Sequence, residues 1–194
     1  MSDPLRILLL EDNPRDAELV TAALSAAGLR AQVERVTSKD AFTRALHEFS
    51  PQVVLSDHSL AQFNALAALR TVHNQRPGAP VIVVAEAVDE QLAVACLRAG
   101  AEDIVLKGNL TRLTPAIEAA IQVRRPLEKL TPRQLEVFRL VTEGESTRDI
   151  ARRLQLSVKT VETHRGDVMK RLGIHDLVGL VLYVVRVRVV LPDS

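Results

Sequence analysis

Two adjacent acids, Glu11 and Asp12, follow a short apolar run over residues 6–10. A third acid, Asp57, follows a similar run over 52–56, and a lysine, Lys107, follows one over 103–106. If these runs are parallel strands of one sheet, the four side chains meet in the crevice at its carboxyl edge, where open α/β sheets bind ligands. Carboxylates crowded there repel one another, and a hard dication with oxygen ligands such as Mg2+ relieves the repulsion. The ion also neutralises an incoming phosphoryl group, whose oxygens find a second positive partner in Lys107. Asp57 is then placed as a carboxylate nucleophile that can form an aspartyl phosphate. Each residue also has an ordinary use. Asp12 or Asn13 can cap a helix beginning at Pro14, Asp57 can be a turn residue, and Lys107 can be a solvated surface lysine. The set at three strand ends favours the chemical use over the separate ones. His58 can screen the acceptor, donate to it, or simply be exposed.

Positioning these groups requires alternating strands and helices. Five apolar runs, over 6–10, 31–35, 52–56, 80–85 and 103–106, include several rich in Val, Ile or Leu on both faces, as strands buried in a parallel sheet must be. Between them lie helical patterns: 14–27 with proline at the first position and Gly28 after it, 39–48 behind Ser38, 62–72, 89–99 before Gly100, and 111–123. Five β-then-α units imply an α/β doubly wound (βα)5 domain on a parallel five-stranded sheet over residues 1–123.

The polar stretch 124–129 reads as a linker, and beyond it the strand signal disappears. Thr131-Pro132-Arg133-Gln134 is a capping-box sequence opening a helix that ends near Gly144. A short helix over 147–154, a turn at Gln155-Leu156, and a helix capped by Ser157 and stopped at Gly173 follow. Asp176 can cap a fourth helix reaching about Arg186. Residues 130–194 are therefore a small all-α four-helix domain containing a helix-turn-helix.

Composition is that of a globular chain, with 47% hydrophobic and 25% charged residues among 194. A net charge of +1 conceals a split: residues 1–123 hold 11 Lys+Arg against 15 Asp+Glu, and residues 130–194 hold 11 against 8. The basic end suits a polyanionic partner. A single cysteine, Cys96, excludes an internal disulfide framework and is expected to pack as a small apolar residue. No apolar run is long enough to cross a membrane, and residues 5–10, broken by Arg6, make no signal peptide. The expectation is a cytoplasmic protein.

Three segments, Leu8-Leu9-Leu10-Glu11-Asp12-Asn13-Pro14, Val54-Leu55-Ser56-Asp57 and Leu97-Arg98-Ala99-Gly100-Ala101-Glu102-Asp103-Ile104-Val105-Leu106-Lys107, resemble a CheY-type receiver. The resemblance implies phosphorylation of Asp57 by a sensor histidine kinase, with Mg2+ held by Glu11, Asp12, Asp57 and the backbone carbonyl of Ser59. The chain departs from that family at its switch. Ala85 stands where receivers usually place Thr or Ser, Ile104 where they place Tyr or Phe, and Ala61 and Ala65 where Pro and Gly often follow the acceptor. The missing hydroxyl removes one hydrogen bond to a charged group, worth ~1.5–3 kcal/mol.

Residues 131–183 resemble a LuxR/FixJ-type output domain through Leu130-Thr131-Pro132-Arg133-Gln134-Leu135-Glu136-Val137, Ile150-Ala151-Arg152-Arg153-Leu154, Ser157-Val158-Lys159-Thr160-Val161-Glu162-Thr163-His164-Arg165 and Lys170-Arg171-Leu172-Gly173. Together with the receiver this points to the NarL/FixJ class of response regulators. On the helix from Val158, spacing turns Val161, Val168 and Leu172 inward. The other face shows Lys159, Glu162, Thr163, Gly166 and Lys170. Lys159, Thr160, Arg165 and Lys170 are candidates for phosphates, Glu162 and Thr163 for base edges, and Gly166 for close approach to a groove wall. The last helix carries two apolar stripes. One packs within the domain, and the other, with Val178, Leu182 and Val185, either widens that core or, as the resemblance implies, forms a homodimer.

Two functions follow from this reading. One is a regulator whose dimerisation and binding to double-stranded DNA are controlled by phosphorylation. The other keeps the DNA binding and makes the receiver a phosphorylation-independent interaction module, as Ala85 and Ile104 favour. An enzyme using the acidic pocket for turnover is not expected, because aspartyl self-phosphorylation is single-turnover chemistry.

Overall fold

The computed structural model describes residues 3–60, 63–76, 78–176, 179, 180 and 183. The chain divides into two compact units, Met1–Ile121 and Gln122–Ser194.

In the first unit, β1 (Leu5–Leu10), β2 (Ala31–Val36), β3 (Val53–Asp57), β4 (Val81–Ala85) and β5 (Asp103–Leu106) form one parallel sheet in the order β2-β1-β3-β4-β5. Both faces are covered, so the central strands are apolar throughout. Alternation sends Leu8, Leu10, Val54, Val81 and Val83 into one core layer. Ile7, Leu9, Val53, Leu55, Ile82 and Val84 go into the other. The first layer is closed by α2 (Lys39–Glu48), α3 (Ala65–Gln75) and α4 (Glu90–Arg98), through residues such as Phe42, Leu69 and Cys96. Phe42 and Phe63 meet edge to face there, with ring centroids 5.3 Å apart. The second layer is closed by α1 (Pro14–Ala26) and α5 (Leu113–Glu128), through Val20, Leu24, Leu113 and Ile117. Cys96 is buried in an apolar layer, and that burial pushes its thiol pKa up.

Side-chain caps fix where these helices begin. Asn13, rather than Asp12, caps α1 by accepting from the Arg15 N–H. Ser38 caps α2 and Asp89 caps α4. The third helix differs from the expected span 62–72: it begins at Ala65 because Asn64, extended at φ −71° and ψ 169°, accepts from the Ala67 N–H. The segment expected to start the fifth helix is instead a 3-10 turn, Lys107–Arg112. From there α5 runs to Glu128, beyond the expected end at Val123, so backbone read as a linker is helical. Pro126 falls in its last turns, where the missing N–H costs a single backbone bond.

In the second unit, α6 (Pro132–Thr142), α7 (Thr147–Arg153) and α8 (Val158–Leu172) pack around two small apolar clusters. The capping box at Thr131 is complete in both directions. Leu154 ends α7, Gln155 turns the chain at φ 54°, and Ser157 caps α8 by accepting from the Thr160 N–H. Gly173, left-handed at φ 67°, ends α8. Asp176 accepts from the Gly179 N–H at 2.7 Å, the bond expected of a cap on the fourth helix. Tyr183 stands edge-on to Phe138 and donates its hydroxyl to the Val123 carbonyl at 2.9 Å.

Candidate functional site

The carboxyl ends of β1, β3 and β5 converge on one ammonium group. Lys107 Nζ lies 2.8 Å from Glu11 Oε2 and 3.0 Å from Asp57 Oδ1, so residues distant in sequence meet in the crevice. Glu11 and Asp57 are both buried. The third carboxylate on Lys107 belongs to Asp16, in the first turn of α1, at 2.5 Å. Asp16 was absent from the sequence reading. It stands five residues after Glu11, a spacing that places it over the crevice only once α1 is seen to start at Pro14.

These contacts are not equivalent. Lys107 donates hydrogen bonds to Glu11 and to Asp16. Its approach to Asp57 Oδ1 lacks hydrogen-bond geometry, and that buried oxygen has no hydrogen-bond partner. The other oxygen, Oδ2, accepts from the Ser59 N–H at 2.9 Å. Glu11 uses both oxygens, since Oε1 accepts from the Asn13 N–H at 3.0 Å. Burial pushes the Glu11 carboxyl above the usual carboxylate range, against the hydrogen bonds from Lys107 and Asn13. Burial by itself would lower the Lys107 pKa, but its bonds to Asp16 and Glu11 and the nearby Asp57 outweigh this and hold it above the ordinary lysine value. Three carboxylates around one ammonium leave an excess of negative charge.

Asp12 is exposed, and so is Ser59. The loop holding Glu11 and Asp12 is tied down by Arg35, which donates to both their carbonyls. Among the described residues no three His, Cys, Asp or Glu side chains form a ready metal cage. Mg2+ does not need one, because it retains several waters and takes one or two carboxylates. An all-oxygen donor set and three carboxylates around a single ammonium fit such an ion. His58 donates its backbone N–H to Val84, and its Nδ1 has no hydrogen-bond partner. Ala85 is fully buried at the end of β4, in register with Leu106 of β5. Ile104 is half-buried against the first core layer.

On α8, Val161 and Val168 are buried, and Leu172 packs against the cluster that holds Val168. Lys159, Glu162, Thr163, Gly166 and Lys170 are exposed, whereas Thr160 and Arg165 are half-buried. The Thr160 hydroxyl lies 2.7 Å from Ser157 Oγ and so belongs partly to the cap. Arg153 and Arg139 are engaged with Glu145 and Glu143. Val158, unassigned from sequence, is an exposed apolar residue in the first turn of α8. The expected dimer residues Val178, Leu182 and Val185, with the Val/Arg tail, lie outside the described residues.

Residues 7–118 match the family model of the response regulator receiver domain, and residues 128–184 match that of the bacterial regulatory proteins of the luxR family. The chain belongs to the NarL/FixJ type of response regulators. This response regulator is 23% identical to the response regulator protein VraR of Staphylococcus saprophyticus over 201 residues, covering 93% of this chain and 96% of VraR. Full-length FixJ from B. japonicum shares 24% identity with a TM-score of 0.54, covering 96% of this chain and 98% of FixJ. A structure of two RcsB dimers bound to two parallel DNAs shares 25% identity with a TM-score of 0.55, covering 93% of this chain and 98% of RcsB. The response regulator thus joins a receiver, whose sheet edge holds the acidic site, to a LuxR-type DNA-binding domain containing α7 and α8. Among the described residues no helix is long and apolar enough to cross a membrane.

Proposed function

We propose that Asp57 accepts a phosphoryl group from a sensor histidine kinase, and that this modification controls homodimerisation and sequence-specific DNA binding. The observation carrying the reading is the buried Asp57 Oδ1, without a hydrogen-bond partner and 3.0 Å from the Lys107 ammonium. Its sister oxygen is fixed by the Ser59 N–H, so Oδ1 is the oxygen left for attack. Oδ1 bonds to phosphorus, the bond from phosphorus to the donor breaks, and the donor departs with that electron pair. Glu11, Asp12, Asp57 and the Ser59 backbone carbonyl would hold Mg2+, which supplies charge neutralisation for the phosphoryl oxygens. Lys107 donates to one of those oxygens. Each loading is a single turnover, so the site serves regulation and not metabolism.

In the other half, α8 enters the major groove. Lys159, Thr160, Arg165 and Lys170 take phosphates, while Glu162, Thr163 and the surface at Gly166 face the bases. Val178, Leu182 and Val185 join two copies on paired half-sites. The domains are assigned as receiver over 1–123, linker over 124–129 and DNA-binding over 130–194, and the protein works in the cytoplasm, where it meets both kinase and DNA.

A second reading is favoured by the fully buried Ala85 at the end of β4 and the aliphatic Ile104 on β5. Moving a two-state switch from 1:99 to 99:1 needs about 5.5 kcal/mol of differential affinity. The missing hydroxyl removes ~1.5–3 kcal/mol of that drive. In this reading the receiver is an interaction module and DNA binding does not follow phosphorylation.

One experiment tests both. The protein is treated with a small phosphodonor and Mg2+, and modification by intact mass, dimer fraction and DNA affinity are measured on the same samples. The first reading expects modification, lost in Asp57→Asn, together with a rise in dimer and affinity. Modification with unchanged output selects the second. No modification at all sinks the phosphoacceptor assignment.

A further inference from the structure

Lys107 reaches Asp57 but gives its hydrogen bonds to two other carboxylates. Its hydrogen bonds go to Glu11 and Asp16, and its approach to Asp57 Oδ1 has the distance of an ion pair without the angle of a hydrogen bond. An ammonium has three N–H donors. Two are committed to Glu11 and Asp16, so how many bonds Lys107 can give a phosphoryl group on Asp57 depends on what those partners release.

The two partners differ in how easily they let go. Glu11 is 2% exposed at its side chain and is anchored a second time by the Asn13 N–H. Asp16 is 16% exposed at its side chain, and among the described residues that side chain makes no hydrogen bond except to Lys107. Water reaches Asp16, and the N-terminus of α1 favours a carboxylate in its first turn whether or not Lys107 is paired with it. Asp16 is the partner that can be exchanged at low cost.

We infer that Asp16 is a positioning residue that restrains Lys107 in the resting protein and yields it when a phosphoryl group arrives, setting how readily Asp57 is loaded. The inference rests on Asp57 being the phosphoacceptor. With no hydroxyl at Ala85, the exchange of Lys107 from Asp16 to the phosphoryl oxygens is the rearrangement the site retains, and it acts on α1, where Asp16 sits.

The test is uptake of beryllium fluoride, a phosphoryl mimic, by the full chain in Mg2+, with bound fluoride counted by 19F NMR. Asp16→Asn and Asp16→Ser keep a side chain suited to a helix start and should bind about ten-fold more tightly than wild type. Asp16→Glu should return to the wild-type affinity. Glu18→Gln removes the same charge from an exposed position on the same helix and should bind as wild type does. Wild-type affinity in both Asn and Ser variants overturns the inference, and so does an equal gain in Glu18→Gln, which would make the effect one of net charge. If uptake depends on Asp57 but not on Asp16, this inference alone falls. If Asp57→Asn binds as well as wild type, or no protein binds, the acceptor assignment falls with it.

Discussion

Arg35 and Glu11 are joined through the backbone: Arg35 Nε donates to the Glu11 carbonyl at 2.8 Å, while its Nη2 reaches the next carbonyl, that of Asp12, at 2.6 Å. An arginine at the end of β2 thereby fixes the loop that carries two proposed metal ligands. Its five donors in a rigid fork suit this task, and lysine lacks the fork. Arg35→Ala should lower stability by ~1 kcal/mol, since one bond is part-buried and the other exposed. It should also weaken Mg2+ binding several-fold by freeing the loop, with Arg35→Lys intermediate. Urea unfolding with and without Mg2+ measures both. An Mg2+-induced stabilisation equal to that of wild type would show the loop is held by other means.

The acidic site should give stability a measurable pH dependence. A carboxyl whose folded pKa is raised binds a proton more readily folded than unfolded, so its contribution is fully present below the ordinary value of 4.5 and is lost as pH rises through the raised value. Lys107, raised above its ordinary 10.5, contributes equally at every pH well below that value. In Mg2+-free buffer, Glu11→Gln should therefore gain on wild type as pH climbs from below 4.5 through the raised value. The check is a denaturant midpoint for each protein across that range. A stability difference that stays flat, or shrinks, contradicts the buried environment described for Glu11.

Local rules reached far into this structure, and their failures share a cause. The β-runs, the caps at Ser38, Thr131 and Ser157 and the inward valines of α8 are short-range features, and the sequence patterns place them within a residue or so. Glu11, Asp57 and Lys107 could be placed together because parallel topology brings strand ends to one edge. Asp16 and Arg35 were not legible: both act through contacts set by how α1 and β2 lie against the β1 loop. The third helix started late because Asn64 competes as a cap, and α5 outran its expected end because one proline near a helix terminus does not stop it. Thr160 is a candidate phosphate donor by its residue type, whereas its hydroxyl also faces Ser157.

Ala85 allows the coupling itself to be tested by adding what is missing. Its side chain is fully buried, so a hydroxyl brought there must find a partner or be left unsatisfied. Ala85→Ser adds one oxygen at small volume, and overpacking limits the cost to ~1–3 kcal/mol. With Asp57 unmodified, the variant should be less stable than wild type. With beryllium fluoride and Mg2+ bound, the serine gains an acceptor, and the variant should show a larger rise in dimer fraction than wild type. Sedimentation of both proteins with and without the mimic decides this. Equal responses would mean that the β4 hydroxyl is irrelevant to output in this chain.

Gly166 sits mid-helix on the exposed face of α8, and a Cβ built there meets nothing within 4 Å. Packing within the described residues therefore gives no reason for glycine, while its place in a helix costs roughly 1 kcal/mol relative to alanine. Gly166→Ala should accordingly raise stability by about that amount, read from thermal or denaturant unfolding of the full chain. If the face carrying Lys159, Glu162 and Thr163 lies against a groove wall, the added methyl meets DNA where it meets no protein. Affinity for duplex DNA should then fall while the salt dependence, set by the phosphate contacts of Lys159 and Lys170, stays the same. A variant that is both more stable and undiminished in DNA binding would move the reading face away from Gly166, toward the exposed Val158 at the start of the helix.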